Sequence, residues 1–237
     1  MASLITGFVF GFNDNQQVFV FSNWIFNYLK FVLLSFISLG LYYLVQFHLS
    51  RNYGANLDNN IWGIERYGFE RTMHLPKRFF GIEIKKISLG IILPLLVSFL
   101  SDGGLYFAAV LSSTIIVNPL YRLGRSFKKL SEFEEAKIAV SGPLINIFFA
   151  ILIKIFEINQ LKEMIFVCSV ISISYMFPLP GLDGIKIYFG SKLLYIFSLI
   201  FILSSAFLLN FISGVSALII SVIFALICLI NYFYNRN

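Results

Sequence analysis

The sequence predicts an all-α, multi-pass membrane protein of about six transmembrane helices with a small β-hairpin or re-entrant element. Its 237 residues are 58% hydrophobic and 13% charged, whereas about a quarter of the residues in a soluble domain are charged. The mean hydropathy is +0.84, and the apolar residues are spread over most of the chain. We therefore expect a single membrane-embedded domain over residues 1–237, located in the cell membrane.

Six apolar runs are candidates for helices that cross the bilayer, which requires about 20 apolar residues. The second run is short, so that it is predicted to be a tilted or partial span. The apolar residues from Leu4 to Phe12 are too few to span, and we expect them to lie at the interface or to form a strand. The six runs are Trp24–Leu49, Ile87–Leu100, Ile138–Phe156, Met164–Phe177, Ile187–Leu209 and Phe211–Tyr234.

The segment between Gly103 and Asn118 has a different pattern. Residues 105–110 and 114–117 are rich in β-forming side chains and are bounded by Gly-Gly and Asn-Pro pairs. We predict a strand or hairpin here, and if it is re-entrant, protein or water must cover its backbone at membrane depth. An ordinary short helix that completes a helical hairpin with Ile87–Leu100 is the alternative.

Basic residues are concentrated in two loops, 51–86 and 118–137. The positive-inside tendency places both loops in the cytoplasm. With a net charge of +6, this distribution favours membrane lipid as a partner and not nucleic acid. Within the second loop, Ser131-x-x-Glu134 fits a capping box and predicts the start of a helix.

A single carboxylate, Asp183, interrupts the apolar sequence of the second half of the chain. It lies in the run Phe177-Pro178-Leu179-Pro180-Gly181-Leu182-Asp183-Gly184. Ionisable residues at membrane depth are costly and generally face a cavity, a partner or an ion. The surrounding prolines and glycines remove backbone hydrogen bonds and permit unusual dihedral angles. We therefore predict that the helix breaks here and that Asp183 is directed into the protein.

Two other segments are expected to pack beside Asp183 in a compact bundle. One is the end of the first long helix, Tyr42-Tyr43-Leu44-Val45-Gln46, which leads into Ser50-Arg51-Asn52-Tyr53-Gly54-Ala55. The other contains Gly142, which permits close helix approach, and Asn146, which offers an amide to an opened backbone. A simple kink at Gly142-Pro143 is the alternative.

Together these segments resemble the site-2 protease family of intramembrane zinc metalloproteases, in its short archaeal form. The resemblance extends from about Leu39 to Ser191 and rests on Gly142-Pro143-Leu144-x-Asn146 and Pro178-x-Pro180-x-Leu182-Asp183-Gly184. It implies a site-2-protease-like core in which Asp183 corresponds to the third zinc ligand. It also implies a groove for a transmembrane helix or extended peptide, lined by Gly142, Pro143, Asn146, Pro178, Pro180 and Gly184.

The chain departs from that family at the helical His-Glu-x-x-His motif, which supplies two zinc ligands and the general base. Aligning residues 50–55 with the Ala-Arg-x-Tyr-Gly-Ala that commonly follows the zinc helix puts Tyr42 and Gln46 at the histidine positions and Tyr43 at the glutamate position. Catalytic zinc needs about three protein ligands, and neither a phenol nor an amide supplies an imidazole. Tyr43 cannot act as a carboxylate base. The family's common Asn before the prolines aligns with Tyr175.

Few other side chains are candidates to replace the missing ligands. His48 lies about 200° around the helix from Gln46, and His74 lies in a basic loop. Asp102 is more typical of a turn residue than of an aspartic dyad with Asp183. Ser141 has no histidine in an evident partner position.

The sequence therefore predicts a catalytically inactive homologue that binds or regulates transmembrane segments of partner proteins, with no cofactor. The alternative is an active intramembrane zinc metalloprotease with relocated ligands, such as His48 with Asp183 as a metal ligand. In the inactive protein, we expect Asp183 to be a remnant ligand that is hydrogen-bonded to a tyrosine such as Tyr42, or protonated. Without a nearby cation, burial should raise the pKa of Asp183.

Overall fold

Helices make up most of the structure, a computed structural model that describes residues 1–13, 20–64, 77–79, 82–84, 87–117 and 130–234. Three of the described helices are long and apolar enough to cross a membrane, namely α2, α4 and α8. In chain order the elements are α1 (Ala2–Gly11), α2 (Phe21–Asn52), β1 (Ala55–Ile61), β2 (Lys77–Phe79), β3 (Ile82–Ile84), α3 (Leu89–Leu100), β4 (Leu111–Val117), α4 (Glu132–Ile155), α5 (Lys162–Met176), α6 (Asp183–Gly190), α7 (Lys192–Leu208) and α8 (Gly214–Tyr234).

The predicted helical character and membrane location agree with this architecture, whereas the number of about six spans stays a prediction. The predicted run Ile187–Leu209 is not one helix, because α6 ends at Gly190 and α7 begins at Lys192. Ser191 between them is extended, and its side chain caps α7 by accepting a hydrogen bond from the backbone N–H of Leu194. Gly190 packs on the backbone of Glu132 in α4, where a Cβ would collide. This close contact joins the end of α6 to the start of α4.

The first residues form helix α1, so the alternative of a strand over Leu4–Phe12 is wrong. Gly7 and Gly11 lie four residues apart on one face of α1, next to Val32 and Tyr28 of α2. A Cβ on Gly7 would overlap Val32. The two glycines therefore let α1 approach α2 closely, as small residues do between membrane helices.

The strand predicted near residues 114–117 is present as β4, and the helical alternative is wrong. However, β4 does not form a hairpin with residues 105–110. It pairs antiparallel with β1, with Ala55 opposite Val117 and Ile61 opposite Leu111. Strand β1 lies in the segment predicted as the first basic loop. In a second small sheet, β2 pairs antiparallel with β3.

Residues 107–110 cross the core in an irregular conformation that is fully covered by protein. Phe107 is 9% exposed, and the following three residues are 0% exposed. Two backbone donors here bond to side chains of α5: Ser174 Oγ accepts from the N–H of Ala108 at 3.0 Å, and Tyr175 Oη accepts from the N–H of Leu111, the first residue of β4, at 3.0 Å. These two bonds offset part of the cost of burying irregular backbone.

Much of the two basic loops, residues 65–76, 80–81, 85–86 and 118–129, lies outside the described residues, as does His74. The predicted capping box is confirmed: Ser131 accepts from the N–H of Glu134, and the Glu134 side chain accepts from the N–H of Ser131. Helix α4 then runs through the centre of the structure, where it contacts α2, α5, α6 and α8. The site described next lies where α2, α4, α6 and β4 meet.

Candidate functional site

Asp183 is the first residue of α6 and lies directly after a tight turn. Gly181 in this turn has φ of +91°, which glycine adopts without strain. Gly184 lies against the carbonyl of Met176, so that a Cβ at this position would overlap the backbone. The chain therefore reverses sharply between α5 and α6, and it directs Asp183 inward, where the residue is 1% exposed. The predicted helix break and inward carboxylate are both present.

Four side chains of the described part of the chain donate hydrogen bonds to the Asp183 carboxylate. Tyr42 Oη and Gln46 Nε2 donate to Oδ2 at 2.6 and 2.7 Å. Ser113 Oγ and Lys186 Nζ donate to Oδ1 at 2.7 and 2.9 Å. A carboxylate offers about four acceptor positions on its two oxygens. All of these positions are thus used by the protein itself.

Tyr42 and Gln46 reach Asp183 together because they lie four residues apart on one face of α2. Both are 0% exposed. Gln46 Nε2 also donates to the carbonyl of Ala139 at 3.1 Å. That carbonyl is four residues before Pro143, which has no N–H to complete the helical hydrogen bond. Gln46 therefore links α2 both to Asp183 and to the acceptor that Pro143 leaves open in α4.

Tyr43 lies beside the carboxylate but bonds to another tyrosine. Its hydroxyl donates to Tyr175 Oη at 2.9 Å. The ring centroids of Tyr42 and Tyr175 are 4.7 Å apart, and those of Tyr42 and Tyr43 are 5.0 Å apart. Tyr42, Tyr43 and Tyr175 thus form one packed aromatic cluster beside Asp183. Tyr42 also covers Gly142, where a Cβ would lie 2.5 Å from its ring.

The residues predicted to line a groove lie in two different environments. Pro178 and Pro180 are exposed, whereas the other four are buried. Among the buried ones, Asn146 donates to Ser38 Oγ at 2.9 Å, and its Oδ1 has no hydrogen-bond partner among the described residues. A groove over this set stays a prediction. The buried members are Gly142, Pro143, Asn146 and Gly184.

The sequence analysis missed Lys186 and Ser113. Lys186 lies three residues after Asp183, and on a helix this spacing puts both side chains on one face, so the signal was present in the sequence. Its ammonium also donates to Ser113 Oγ at 2.8 Å and to the Ser113 carbonyl. Ser113 had no comparable signal, because its position depends on the pairing of β4 with β1.

The electrostatics of Asp183, which lies outside the three membrane-crossing helices, differ from the prediction. Burial by itself raises the pKa of Asp183, but the Lys186 ammonium and the hydrogen bonds from Tyr42, Ser113 and Gln46 lower it. The combined effect holds the pKa below its ordinary value. The predicted increase is wrong because a cation does lie next to the carboxylate. Asp183 is therefore held as an ionised, fully hydrogen-bonded group.

The donor set around Asp183 does not fit zinc. It consists of a phenol, an amide, a hydroxyl and an ammonium group, whereas zinc takes thiolate, imidazole or carboxylate ligands. In the described ranges, no three His, Cys, Asp or Glu side chains lie close enough together to hold a metal. His48 is exposed on α2 and, as predicted, is on a different face from Gln46.

The Ser113–Lys186 contact invites comparison with a serine–lysine hydrolytic pair, in which a neutral lysine accepts the serine proton. Here the lysine forms an ion pair with Asp183, and Ser113 donates its proton to the same carboxylate. An ammonium that is held in an ion pair has no lone pair with which to act as a base. In this arrangement Lys186 is therefore a counter-ion of Asp183 and does not accept the Ser113 proton.

No family model, curated protein or solved structure matches the chain. The fold and the site together define a mostly helical protein, with three described helices that could span a membrane and a buried, ionised carboxylate held by α2, β4 and α6.

Proposed function

We propose that this protein is a catalytically inactive, site-2-protease-like membrane protein that binds or regulates transmembrane segments of partner proteins. The observation that carries the proposal is the meeting of Tyr42, Gln46 and Asp183, with donor–acceptor distances of 2.6 and 2.7 Å. Two helical positions four residues apart and a distant aspartate are the arrangement that three zinc ligands would need. In this proposal α3, α5 and α7 complete a bundle of about six spans, with the basic loops in the cytoplasm.

The inactivity follows from the chemistry of the substituted side chains. A zinc protease needs an open coordination position at which metal-bound water is activated, and a base that accepts its proton. Tyr42 and Gln46 supply donors to Asp183 instead of ligands to a metal. Tyr43, at the position of the base, carries a phenol that is engaged with Tyr175.

A binding role is supported by the exposed turn next to the buried cluster. Phe177 is 48% exposed, and Pro178 and Pro180 beside it are also exposed. The buried Trp62 side chain holds this apolar turn in place, because its Nε1 donates to the carbonyl of Pro180 at 2.7 Å. An exposed apolar turn, held by this hydrogen bond next to the buried cluster around Asp183, is suited to contact with an apolar segment of another membrane protein.

Elemental analysis of the purified full chain tests the loss of catalysis. Because Asp183 is saturated by internal donors, we expect far less than one zinc per chain, unchanged by Asp183→Ala. Zinc near one per chain that disappears with Asp183→Ala would refute the proposal and support an active zinc metalloprotease with relocated ligands.

Site-specific photocrosslinking in native membranes tests the binding role. Phe177 is replaced by p-benzoylphenylalanine, and the matched control carries the same group at Phe224 on α8, which is 51% exposed. We expect a discrete adduct with an integral membrane protein from position 177 only. If the two positions give no adduct or the same adducts, the turn is not a specific binding surface.

A further inference from the structure

We propose that Lys186 is a built-in counter-cation that takes the electrostatic place of a divalent metal at Asp183 and closes the site to metal ions. This inference rests on the proposed function, since it concerns what replaced the metal in an inactive site-2-protease-like protein. It concerns this chain's own residues, and it explains how a buried aspartate is kept ionised without a metal.

The first support is the coordination of the ammonium group itself. Lys186 Nζ donates to Asp183 Oδ1 at 2.9 Å, to Ser113 Oγ at 2.8 Å and to the carbonyl oxygen of Ser113. An ammonium group has three N–H donors, and three oxygens receive them. The cation is therefore held by a complete set of oxygen atoms and not merely placed near the carboxylate.

The second support is the distribution of the four hydrogen-bond donors between the two oxygens of the Asp183 carboxylate. Ser113 and Lys186 use Oδ1, whereas Tyr42 and Gln46 use Oδ2. Tyr42 and Gln46, at the positions that correspond to metal ligands, thus bond to Oδ2, whereas the Lys186 ammonium bonds to Oδ1. Because the two sets do not compete, histidines at positions 42 and 46 would leave the ammonium in place.

The third support is burial, which makes the charge of Lys186 effective. The side chain of Asp183 is 2% exposed and that of Lys186 is 18% exposed. A divalent ion bound to Asp183 would lie within a few ångströms of the ammonium, and solvent screens such a repulsion only weakly at this depth. A metal can bind tightly only after this positive charge is removed.

Zinc affinity in a restored-ligand background tests the inference. The background carries Tyr42→His and Gln46→His, and the test protein adds Lys186→Met. The full-length proteins are purified in detergent and titrated with zinc against a chromophoric chelator. We expect the added substitution to tighten zinc binding by at least about tenfold. Lys186→Gln in the same background is a second neutral variant that keeps a hydrogen-bond donor.

The matched control is Lys192→Met in the same background, which removes an equal charge from an exposed lysine that lies over the Tyr188 ring. It should change zinc affinity by less than about twofold, because exposed charges are screened. Equal zinc affinity with and without Lys186 overturns the inference and leaves the proposed function standing. If none of the folded variants binds zinc, the inference fails, and so does the correspondence of positions 42 and 46 to zinc ligands, on which the site-2-protease-like part of the proposed function rests.

Discussion

Two buried polar groups bond to α2 at positions one helical turn apart, namely the Asp183 carboxylate of α6 and the Asn146 amide of α4, and they differ in how completely their acceptor oxygens are paired. At Asp183 each carboxylate oxygen receives two donors. At the Asn146–Ser38 contact one hydrogen bond forms, and Asn146 Oδ1 has no partner among the described residues. A buried charge is costly unless it is fully paired, whereas a neutral amide with one open acceptor costs about 1–3 kcal/mol. Charge, and not depth alone, sets how many partners a buried group must have.

The largest expected effect on the free energy of unfolding comes from neutralising the Asp183 carboxylate. Asp183→Asn leaves the Lys186 ammonium without its counter-charge and should lower the free energy of unfolding in detergent by about 3–5 kcal/mol. The control is Asp102→Asn, at an exposed turn position with φ of 51° that Asn tolerates. It should change the free energy of unfolding by less than about 0.5 kcal/mol. Equal effects of the two substitutions would show that the pairing at Asp183 adds no stability.

An intermediate effect is expected where Tyr42 packs on α4. A Cβ at Gly142 would lie 2.5 Å from the Tyr42 ring, so Gly142→Ala must displace a ring that is fixed by its bond to Asp183. We expect a loss of about 1–3 kcal/mol in the free energy of unfolding.

The control for Gly142 is Gly40→Ala on α2, where a Cβ meets nothing within 4 Å. This substitution should stabilise the helix by up to about 1 kcal/mol. Unfolding titrations of both proteins measure the difference, and a neutral Gly142→Ala would show that Tyr42 is free to move.

The smallest effect on the free energy of unfolding is expected from replacing the neutral Asn146 amide. Asn146→Leu removes the amide together with its open acceptor, and only the bond to Ser38 is lost. The free energy of unfolding should therefore change by less than about 1 kcal/mol in either direction. A loss as large as that of Asp183→Asn would mean that Asn146 Oδ1 has an important partner. The same unfolding titration provides the measurement.

Part of this site could be predicted because motifs in distant segments of the sequence indicate which residues meet in the fold. Tyr42 and Asp183 are 141 residues apart, but the resemblance to the site-2 protease motifs predicts that they meet, with Asp183 either hydrogen-bonded to a tyrosine such as Tyr42 or protonated. The capping box at Ser131 is local, and it was also correct. By contrast, Ser113 reaches Asp183 only because β4 pairs with β1, and strand pairing between distant segments has no local signal.

Two predictions that the structure contradicts, the continuous helix over Ile187–Leu209 and the raised pKa of Asp183, both depend on the short helix α6. The apolar run Ile187–Leu209 predicts one helix, whereas Gly190 at the end of α6 packs on α4 and Ser191 caps the separate helix α7. Lys186 lies just before that run and belongs to the same short helix as Asp183. A short helix that begins at Asp183 puts the two charges on one face, and the resulting ion pair lowers the pKa of Asp183 instead of raising it.

The hydrogen bond from Trp62 to the turn has an optical consequence. Trp62 is 1% exposed and touches both the carbonyl of Pro180 and the open face of Gly181, whereas the chain's other tryptophan, Trp24, lies near the start of α2. Trp24→Phe would thus leave a single indole fluorophore against the turn that precedes Asp183. Its emission maximum and quenching would report movement of that turn directly, without an attached dye.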